Sequence, residues 1–342
     1  MKQQRGFGKR AVAVLAALAA VAVTGCSSNA GEGETISIVG FAVPEAANKA
    51  IGDEFKKTDA GEGVQFRTSY GASGDQSRAV VSGLKADYVH FSVASDVTRL
   101  VDEGLVDPSW DQGENKGVVS SSIVVFGVRE GNPKNIQTWE DLIKPGVEIV
   151  TPNPASSGAA RWNALAAWGS VITAGGTEAE AAEYLEKFFA NVVSLPNSGR
   201  DATTGFLGGT GDVLMAYENE AILAAQNGQG FEYIIPETTL LIENPGAVLK
   251  DAPELAQQWL DFVLSDAGQK QFALKGFRPI RDDVDFGGEV PGAADPKNPF
   301  PAVTNLLTVE KDFVSWSDLS KKFFDEQDGI VTQAIAKSGK AQ

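Results

Sequence analysis

Short apolar segments alternate with amphipathic segments along most of the chain, and few fold classes accommodate that alternation. Residues 35–41 (TISIVGF), 63–69 (GVQFRTS) and 121–129 (SSIVVFGVR) have the length and composition of strands. Residues 44–57 and 73–85 show the spacing of apolar side chains that is typical of helices. Strands that alternate with helices build α/β folds with mainly parallel sheets, so we predict that class.

Two of the apolar segments are candidates for crossings between two lobes. Residues 121–129 would lead into a second lobe over 121–240, and the apolar segment 238–243 would lead back out of it. The first lobe would then comprise 35–120 together with 241–342. Two lobes joined by two crossing strands enclose a cleft, where ligands commonly bind in such folds.

The first 25 residues have the features of a secretory signal. MKQQRGFGKR carries four cations and no acid, and residues 11–23 form an apolar run too short to span a membrane alone. The sequence Val23-Thr24-Gly25-Cys26 resembles a bacterial lipobox, in which the cysteine becomes the first residue and carries a lipid. We therefore expect a lipoprotein signal peptide over 1–25, a lipid on Cys26 and a lipid-anchored tether over 26–34. An ordinary signal followed by a free cysteine is the alternative.

The charge and cysteine content exclude several classes of protein. Cys26 is the only cysteine, so the folded part has no disulfide and depends on its hydrophobic core. The formal charge is −16, and removal of the four signal-peptide cations makes it −20. Such a charge argues against nucleic acid or anionic lipid as a partner. It does not exclude a small anion, because salt screens distant charges over about 10 Å.

Several predicted strands end in turns of small residues that open a helix. The turns are Ala42 before Pro44, residues 71–74 (GASG), residues 152–159 (PNPASSGA) and residues 197–199 (NSG). Helix starts carry free backbone N–H groups and a partial positive charge, and small residues let an anion approach that backbone. Turns that converge on one point would bind an oxyanion without a cationic side chain. For each turn taken alone, a helix cap or a simple turn is the favoured interpretation, and the repetition of such turns is what indicates an anion site.

Two other classes of function fit the sequence less well. An exported hydrolase with a serine nucleophile needs a base, and the only histidine, His90, lies in the middle of a predicted strand. No serine has the Gly-x-Ser-x-Gly setting, and no His/Cys/Asp cluster has metal-ligand spacing. Glu218 and Glu220, two apart at a helix start, would point in different directions. A structural surface lipoprotein would not need repeated small-residue turns.

The run PNPASSGAARWN at 152–163 resembles the sulfate-binding proteins of bacterial sulfate/thiosulfate ABC importers. Similar runs occur in the same order over nearly all of the predicted mature chain, at 70–87, 121–147, 211–221, 268–282 and 306–313. The resemblance implies a type II periplasmic binding protein fold, with two lobes closing on dehydrated sulfate. It also implies ABC importer membrane subunits as partners, no cofactor, no catalysis and a monomeric protein at the outer side of the cell membrane.

The resemblance also implies which residues of this sequence contact the ligand: Ala42, Ser73, Ser157, Gly158, Ala159, Gly199 and Tyr217. Ala42 stands where the family typically has Asp, which uses its backbone N–H, and Ala159 stands where Gly is common. Tyr217 stands where the family usually has Trp, whose indole N–H reaches sulfate. Related molybdate-binding proteins use a Tyr donor, so a molybdate or tungstate carrier is the alternative within the binding class.

All these assigned groups donate hydrogen bonds, which favours sulfate over phosphate. Sulfate at neutral pH only accepts hydrogen bonds, whereas phosphate keeps a proton that needs an acceptor. Leaving that O–H unsatisfied costs about 1–3 kcal/mol. Asp75, in the first turn of a predicted helix, would repel sulfate if it faced the site, and we expect it to face solvent. Arg161 and Arg200 could compensate the anion's charge or pair with nearby acids such as Asp201.

Overall fold

The computed structural model describes residues 34–340 of the chain, so the predicted signal peptide and nearly all of the tether lie outside the described residues. Its strands join in one ten-stranded sheet. The strands are β1 (Thr35–Phe41), β2 (Gln65–Gly71), β3 (Tyr88–His90), β4 (Val118–Val128), β5 (Ile149–Val150), β6 (Val192–Ser194), β7 (Val213–Tyr217), β8 (Glu232–Ile234), β9 (Thr238–Val248) and β10 (Asn305–Leu307). Eight of these strands follow one hydrogen-bonded path, while β8 pairs with β4 and β10 with β9 at its side.

Helices follow most of these strands, as the alternating pattern predicts. The helices are α1 (Glu45–Phe55), α2 (Ser73–Val81), α3 (Ala94–Asp102), α4 (Trp139–Leu142), α5 (Gly158–Thr173), α6 (Glu178–Asn191), α7 (Gly199–Leu207), α8 (Glu218–Gln226), α9 (Glu254–Leu264), α10 (Asp266–Leu274), α11 (Val309–Asp312), α12 (Trp316–Phe324) and α13 (Ile330–Lys337). None of the helices in residues 34–340 combines the length and the apolar character needed to cross a membrane.

The strand order β2-β1-β3-β9-β4-β7-β5-β6 divides the sheet into two parallel parts. Strand β1 pairs in parallel with β2 and β3, and β5 pairs in parallel with β6 and β7. Between them, β4 and β9 run antiparallel to each other. One half of β4 pairs with β9 and the other half with β7, and β9 continues to pair with β3. These two long strands are the predicted crossings between the lobes.

The crossing strand β4 lies at the centre of the core. From Val119 to Val128 every residue is buried, and Ile123 and Val124, which face opposite sides of the sheet, belong to different hydrophobic clusters. A strand covered on both faces gives the continuous apolar run that the sequence shows, rather than an alternating one. The lobe boundaries proposed at 120/121 and 240/241 fall inside the crossing strands and stay a prediction.

Several observed elements differ from the sequence predictions. The strand predicted at 63–69 lies at Gln65–Gly71, and the helix predicted at 73–85 ends at Val81. The sequence over 319–335 predicts a single terminal helix, but the structure has two helices there, α12 and α13. The break is stabilised by the Asp325 carboxylate, which accepts hydrogen bonds from the N–H groups of Gln327 and Asp328, both at 2.9 Å. Residues 87–93 (DYVHFSV) predict a strand, which ends at His90 in the structure. The short elements β10 and α11 have too few residues to show periodicity, and the sequence analysis missed them. The Gly/Pro-rich stretch 287–301 contains no strand or helix, as expected.

Candidate functional site

A small cavity lies where the predicted small-residue turns meet. It is lined by Phe41, Ala42, Val43, Gly71, Ala72, Ser73, Ser92, Ser157, Gly158, Ala159, Ser198 and Gly199. Residues from both sides of the crossing strands take part, so the cavity lies between the two lobes. Its volume is about 10 Å³, room for about one water-sized group, so a ligand of several atoms fits only if the lining residues move apart. No lining residue carries a charge, and all are small except Phe41 and Val43.

Three helices begin at the cavity, and each brings backbone N–H groups to it. Ser73 is the first residue of α2, Gly158 and Ala159 are the first two of α5, and Gly199 is the first of α7. N–H groups in the first turn of a helix have no carbonyl partner within that helix, and the helix dipole is positive there. The cavity therefore sits in a positive potential that backbone atoms generate.

The motif 152–163 owes its shape to hydrogen bonds of its own side chains. The Asn153 side-chain oxygen accepts from the Ala155 N–H at 2.9 Å, which closes the turn before α5. Trp162 Nε1 donates to the Ser92 carbonyl at 2.8 Å, across to the other lobe. Asn163 Nδ2 donates to Thr151 Oγ1 at 3.1 Å and to the Met215 carbonyl at 3.2 Å. These bonds fix where α5 begins.

The Ser73 hydroxyl is committed to a neighbour rather than to the cavity. It donates to the Asp96 carboxylate at 2.6 Å and accepts the Ser92 N–H at 2.9 Å. Asp96 is buried, and Arg99 balances its charge at 3.0 Å. The family resemblance implies that Ser73 donates both its backbone N–H and its hydroxyl to the ligand. The hydroxyl directed at Asp96 differs from that expectation, and the backbone N–H is left for an anion.

Two further predicted donors have hydrogen-bond partners in the protein. The Ala42 N–H donates to the Gly71 carbonyl at 2.9 Å, which extends the pairing of β1 with β2. This differs from the expected backbone contact of Ala42 with the ligand. The Ser157 N–H donates to the Asn153 carbonyl at 2.8 Å, so Ser157 can offer its hydroxyl. The ligand contacts of both residues stay predictions.

Tyr217 lies behind the cavity and is not among its lining residues. Its hydroxyl is 2.7 Å from Ser92 Oγ and 3.5 Å from Asn244 Nδ2. Burial raises the pKa of Tyr217 above its ordinary value, against the smaller opposite effects of the hydrogen bonds with Ser92 and Asn244. The hydroxyl therefore stays neutral, and Ser92 stands between it and the cavity.

Ser92 is a lining residue that the sequence analysis missed. It lies between the end of β3 and the start of α3, in the same strand-to-helix setting as the predicted turns. The strand predicted over 87–93 includes Ser92, although β3 ends at His90. The signal that identified the other turns, a small residue at a strand end, would have found Ser92 if the strand end had been placed at His90.

Charged side chains surround the cavity without lining it. Asp75 is partly exposed, as expected, and pairs with Arg78 and with Asn197 Nδ2 at 2.8 Å. Arg200 binds Glu220, not Asp201, with an Nη2–Oε1 distance of 2.7 Å. Burial lowers the pKa of Arg200, but the charge and hydrogen bond of Glu220 outweigh it and hold the pKa above its usual range.

Arg161 has no acidic partner among the ion pairs of residues 34–340. Its Nε donates to the Pro154 carbonyl at 3.1 Å, and its guanidinium lies 5.1 Å from the centre of the Phe324 ring. Because Arg161 does not line the cavity, it contributes to the site through the turn that it holds before α5.

The residues considered for catalysis have structural roles. His90 is buried, with Nδ1 3.2 Å from Asn48 Oδ1 and Nε2 3.0 Å from Ser120 Oγ. Burial lowers its pKa to about 3, so it is neutral at pH 7. Glu218 pairs with Arg278, and Glu220 pairs with Arg200. The two carboxylates thus point to different partners, as their spacing at the helix start predicts. Residues 34–340 contain no group of three or more His, Cys, Asp and Glu residues placed to hold a metal ion.

Comparisons with known proteins identify the family of this chain. Residues 36–278 match the family of bacterial extracellular solute-binding proteins. The sulfate-binding protein of Synechococcus elongatus is 38% identical, over 95% of this chain and 96% of that protein. The thiosulfate-binding protein of Pseudomonas aeruginosa is 36% identical, over 79% of this chain and 82% of that protein.

Solved structures give the same result for the fold. The sulfate-binding protein SubI from Mycobacterium tuberculosis H37Rv matches with a TM-score of 0.80 and 40% identity, over 85% of this chain and 100% of that one.

A molybdate-binding protein of Mycobacterium bovis is 24% identical, over 70% of this chain and 84% of that protein, so it is a more distant relative than the sulfate- and thiosulfate-binding proteins.

Proposed function

The chain belongs to the family of bacterial extracellular solute-binding proteins that includes the sulfate-binding proteins of ABC importers, and we propose that it captures sulfate outside the cytoplasm for import. It acts as a binding protein of a transport system and not as an enzyme. Its ligand is an oxyanion, and its protein partners are the membrane subunits of the importer. It has the α/β, two-lobed type II periplasmic binding protein fold.

The observation that carries this proposal is a cavity at three helix starts whose lining contains no charged side chain. Backbone N–H groups from Ser73, Gly158, Ala159 and Gly199 can donate to one anion, and the Ser157 hydroxyl can add a fifth donor. Each hydrogen bond to a charged group contributes about 1.5–3 kcal/mol. Their sum must offset dehydration of the anion and ordering of the lobes, so net micromolar binding, about −8 kcal/mol, is expected.

The same lining favours sulfate over phosphate. No carboxylate lines the cavity, so the O–H group of phosphate would find no carboxylate oxygen to accept its hydrogen bond. An unsatisfied buried O–H costs about 1–3 kcal/mol, equivalent to about tenfold to a hundredfold in affinity. Thiosulfate shares the acceptor-only chemistry and is the second ligand that we propose. Molybdate is the alternative, favoured by Tyr217 in place of the family's usual Trp.

Calorimetry of the full-length protein in sulfate-free buffer tests this proposal. Sulfate, thiosulfate, molybdate and phosphate are titrated separately under the same conditions. We expect sulfate to bind at micromolar concentration or tighter and phosphate to bind about tenfold to a hundredfold more weakly. If molybdate binds much more tightly than sulfate, molybdate is the ligand. If none of the four anions gives a heat of binding, the protein has no oxyanion site.

The protein acts on the extracytoplasmic side of the membrane, and we propose that a lipid on Cys26 anchors it there. The lipobox-like sequence 23–26 and the cationic and apolar segments before it support this proposal. Mass spectrometry of the mature protein should find an N-terminal Cys26 carrying a diacylglycerol group. Cys26→Ala should remain unmodified and leave the membrane fraction, whereas a free thiol on Cys26 in the natural protein would reject the anchor.

We further propose that the protein is a monomer, as the family resemblance implies. Light scattering of the purified protein, with and without sulfate, should give the mass of one chain. A stable dimer in either condition would contradict this proposal without affecting the ligand assignment.

A further inference from the structure

We propose that the Ser92 hydroxyl donates a hydrogen bond to the bound oxyanion, and that Tyr217 and Asn244 act behind Ser92 to hold it as a donor. This inference rests on the proposed oxyanion function and adds a residue that the family resemblance does not assign. It also gives Tyr217 a positioning role in place of direct contact with the ligand.

The position of Ser92 supports a ligand contact. Ser92 lines the cavity and is fully buried. A Cβ atom on Gly158 would lie 2.5 Å from Ser92 Oγ, which places this oxygen directly beside the first residue of α5. The backbone of Ser92 is fixed at both ends, because its N–H donates to Ser73 Oγ at 2.9 Å and its carbonyl accepts from Trp162 Nε1 at 2.8 Å.

The orientation of the Asn244 amide is determined by its neighbours. Asn244 Nδ2 lies 3.0 Å from the Ser92 carbonyl oxygen, and Asn244 Oδ1 lies 3.3 Å from Ser120 Oγ. A carbonyl oxygen can only accept, so the NH₂ group of Asn244 must face Ser92. A flipped amide would place Asn244 Oδ1 against the Ser92 carbonyl oxygen, and both are acceptors. The second hydrogen of Nδ2 is then available to the Tyr217 hydroxyl oxygen, at 3.5 Å.

This orientation gives a direction to the bond between Tyr217 and Ser92. If Tyr217 accepts from Asn244, its own hydrogen goes to Ser92 Oγ, which is 2.7 Å away. If Ser92 donated to Tyr217 instead, the buried Tyr217 O–H would need another acceptor. Within residues 34–340, the hydrogen-bond partners of this hydroxyl are Ser92 and Asn244 only. An unsatisfied buried donor is costly, so Tyr217 donates.

A Ser92 oxygen that accepts from Tyr217 keeps its own hydrogen free for another acceptor. On the cavity side of Ser92, that acceptor is an oxygen of the bound anion. Acceptance of a hydrogen bond also polarises the Ser92 O–H and strengthens the bond that it donates. Successive hydrogen bonds from Asn244 to Tyr217 and from Tyr217 to Ser92 thus leave the Ser92 hydroxyl as a donor at the cavity. The Tyr217 ring itself does not line the cavity.

The test compares Tyr217→Phe with the double variant Ser92→Ala/Tyr217→Phe in calorimetric titration with sulfate. Both lack the Tyr217 hydroxyl, so neither leaves it buried without a partner, and they differ only in the Ser92 hydroxyl. We expect the double variant to bind sulfate about 10- to 100-fold more weakly than Tyr217→Phe, the range of one hydrogen bond to a charged group. Tyr217→Phe itself should lose less than about tenfold, since Ser92 can still donate.

A second readout separates a ligand contact from a structural role. Ser170→Ala removes another buried hydroxyl, one that bonds to the Ala167 carbonyl within α5, and it should leave sulfate affinity unchanged. The Tm of Ser92→Ala/Tyr217→Phe should rise less on addition of sulfate than the Tm of Tyr217→Phe. Without sulfate, the two variants should have nearly the same Tm.

The outcomes distinguish this inference from the proposed function. If the unsubstituted protein fails to bind sulfate or any other tested oxyanion, the proposed function fails first. If it binds sulfate and Ser92→Ala/Tyr217→Phe binds as tightly as Tyr217→Phe, the Ser92 inference is wrong and the function stands. A large loss from Tyr217→Phe with no further loss in the double variant would assign the contact to Tyr217 itself.

Discussion

At the scale of single residues, Gly158 shows how closely the two lobes approach around the cavity. A methyl group on Gly158 would lie 2.5 Å from Ser92 Oγ and 2.6 Å from Ser92 Cβ. Overpacking of this kind costs about 1–3 kcal/mol. We predict that Gly158→Ala weakens sulfate binding about tenfold or more, because the start of α5 must move away from Ser92 and take its N–H groups with it. Calorimetric titration measures the loss.

Gly205 provides the matched control for this substitution. It lies inside α7, and a Cβ atom there would meet nothing within 4 Å. Gly205→Ala should therefore stabilise the protein by about 0.5–1 kcal/mol and leave sulfate affinity unchanged. Equal affinity of the two variants would show that the contact between Gly158 and Ser92 does not control binding.

His90 links the stability of the fold to pH. Burial lowers the pKa of His90 to about 3, whereas a histidine in the unfolded chain titrates near 6.5. Above about pH 6.5 both states are neutral at this position, and below it the unfolded chain binds a proton that the folded protein does not. We predict that the free energy of unfolding falls by up to about 1.4 kcal/mol per pH unit as the pH drops from 6.5 to 5.

The natural chain and His90→Gln, each unfolded in urea across this pH range, supply the measurement. His90 is the only histidine, so other groups that titrate in this range are common to both proteins. His90→Gln should show a smaller slope with pH, whatever its absolute stability. Parallel curves for the two proteins would mean that His90 is not neutral and buried.

At the scale of helices and strands, local patterns predicted most of the fold. The crossing strand β4 was predictable because burial on both faces gives an uninterrupted apolar run, and α5 because small apolar residues continue for several turns. Strand ends were harder to place. At β3, Phe91 and Val93 after His90 are apolar and buried although they lie outside the strand, so composition alone extends the strand too far.

The site was predictable as a set of helix starts but not as a set of hydrogen bonds. Small residues at strand ends identified the turns that line the cavity at Ser73, Gly158 and Gly199. Nothing local shows that the Ala42 N–H would be taken by Gly71, or that Ser92 would stand between Tyr217 and the cavity. Those contacts join residues far apart in sequence, and they depend on how the lobes pack.

The buried ion pair of Glu218 and Arg278 joins the start of α8 to the segment after α10. Glu218 is fully buried, and Arg278 Nε lies 2.7 Å from Glu218 Oε2. Burial raises the pKa of Glu218, while the charge of Arg278 and its hydrogen bonds act in the opposite direction. We predict that Arg278→Met costs about 3–5 kcal/mol of unfolding free energy, because it leaves a buried carboxylate without its partner.

Urea unfolding at pH 7 measures that cost, with two controls. The double variant Arg278→Met/Glu218→Gln should be more stable than Arg278→Met, since a neutral amide is less costly to bury than an unpaired carboxylate. Asp53→Asn breaks the exposed pair of Lys49 and Asp53 and should change stability by less than about 1 kcal/mol. A double variant no more stable than the single one would contradict the buried-charge explanation.

At the scale of the whole molecule, hydrogen bonds across the rim of the cavity hold the two lobes together. Asn197 Nδ2 donates to the Asp75 carboxylate at 2.8 Å, and the Gly74 N–H donates to the Ser156 carbonyl at 2.9 Å. Arg200 Nη2 donates to the Val43 carbonyl at 3.1 Å. Because each bond joins the two lobes, it stabilises the closed arrangement of the lobes. It does not contribute to the internal stability of either lobe.

Asn197→Ala should therefore weaken ligand retention without weakening the fold. The lost bond to a partly exposed carboxylate is worth about 1 kcal/mol, so we predict that sulfate dissociates about three- to tenfold faster, as stopped-flow fluorescence would measure. Asn191→Ala is the matched control. Asn191 Nδ2 donates to the Leu142 and Lys144 carbonyls within the predicted second lobe, so its loss should lower Tm and leave the dissociation rate unchanged. If Asn197→Ala lowers Tm without sulfate and leaves dissociation unchanged, its bond to Asp75 supports the fold rather than lobe closure.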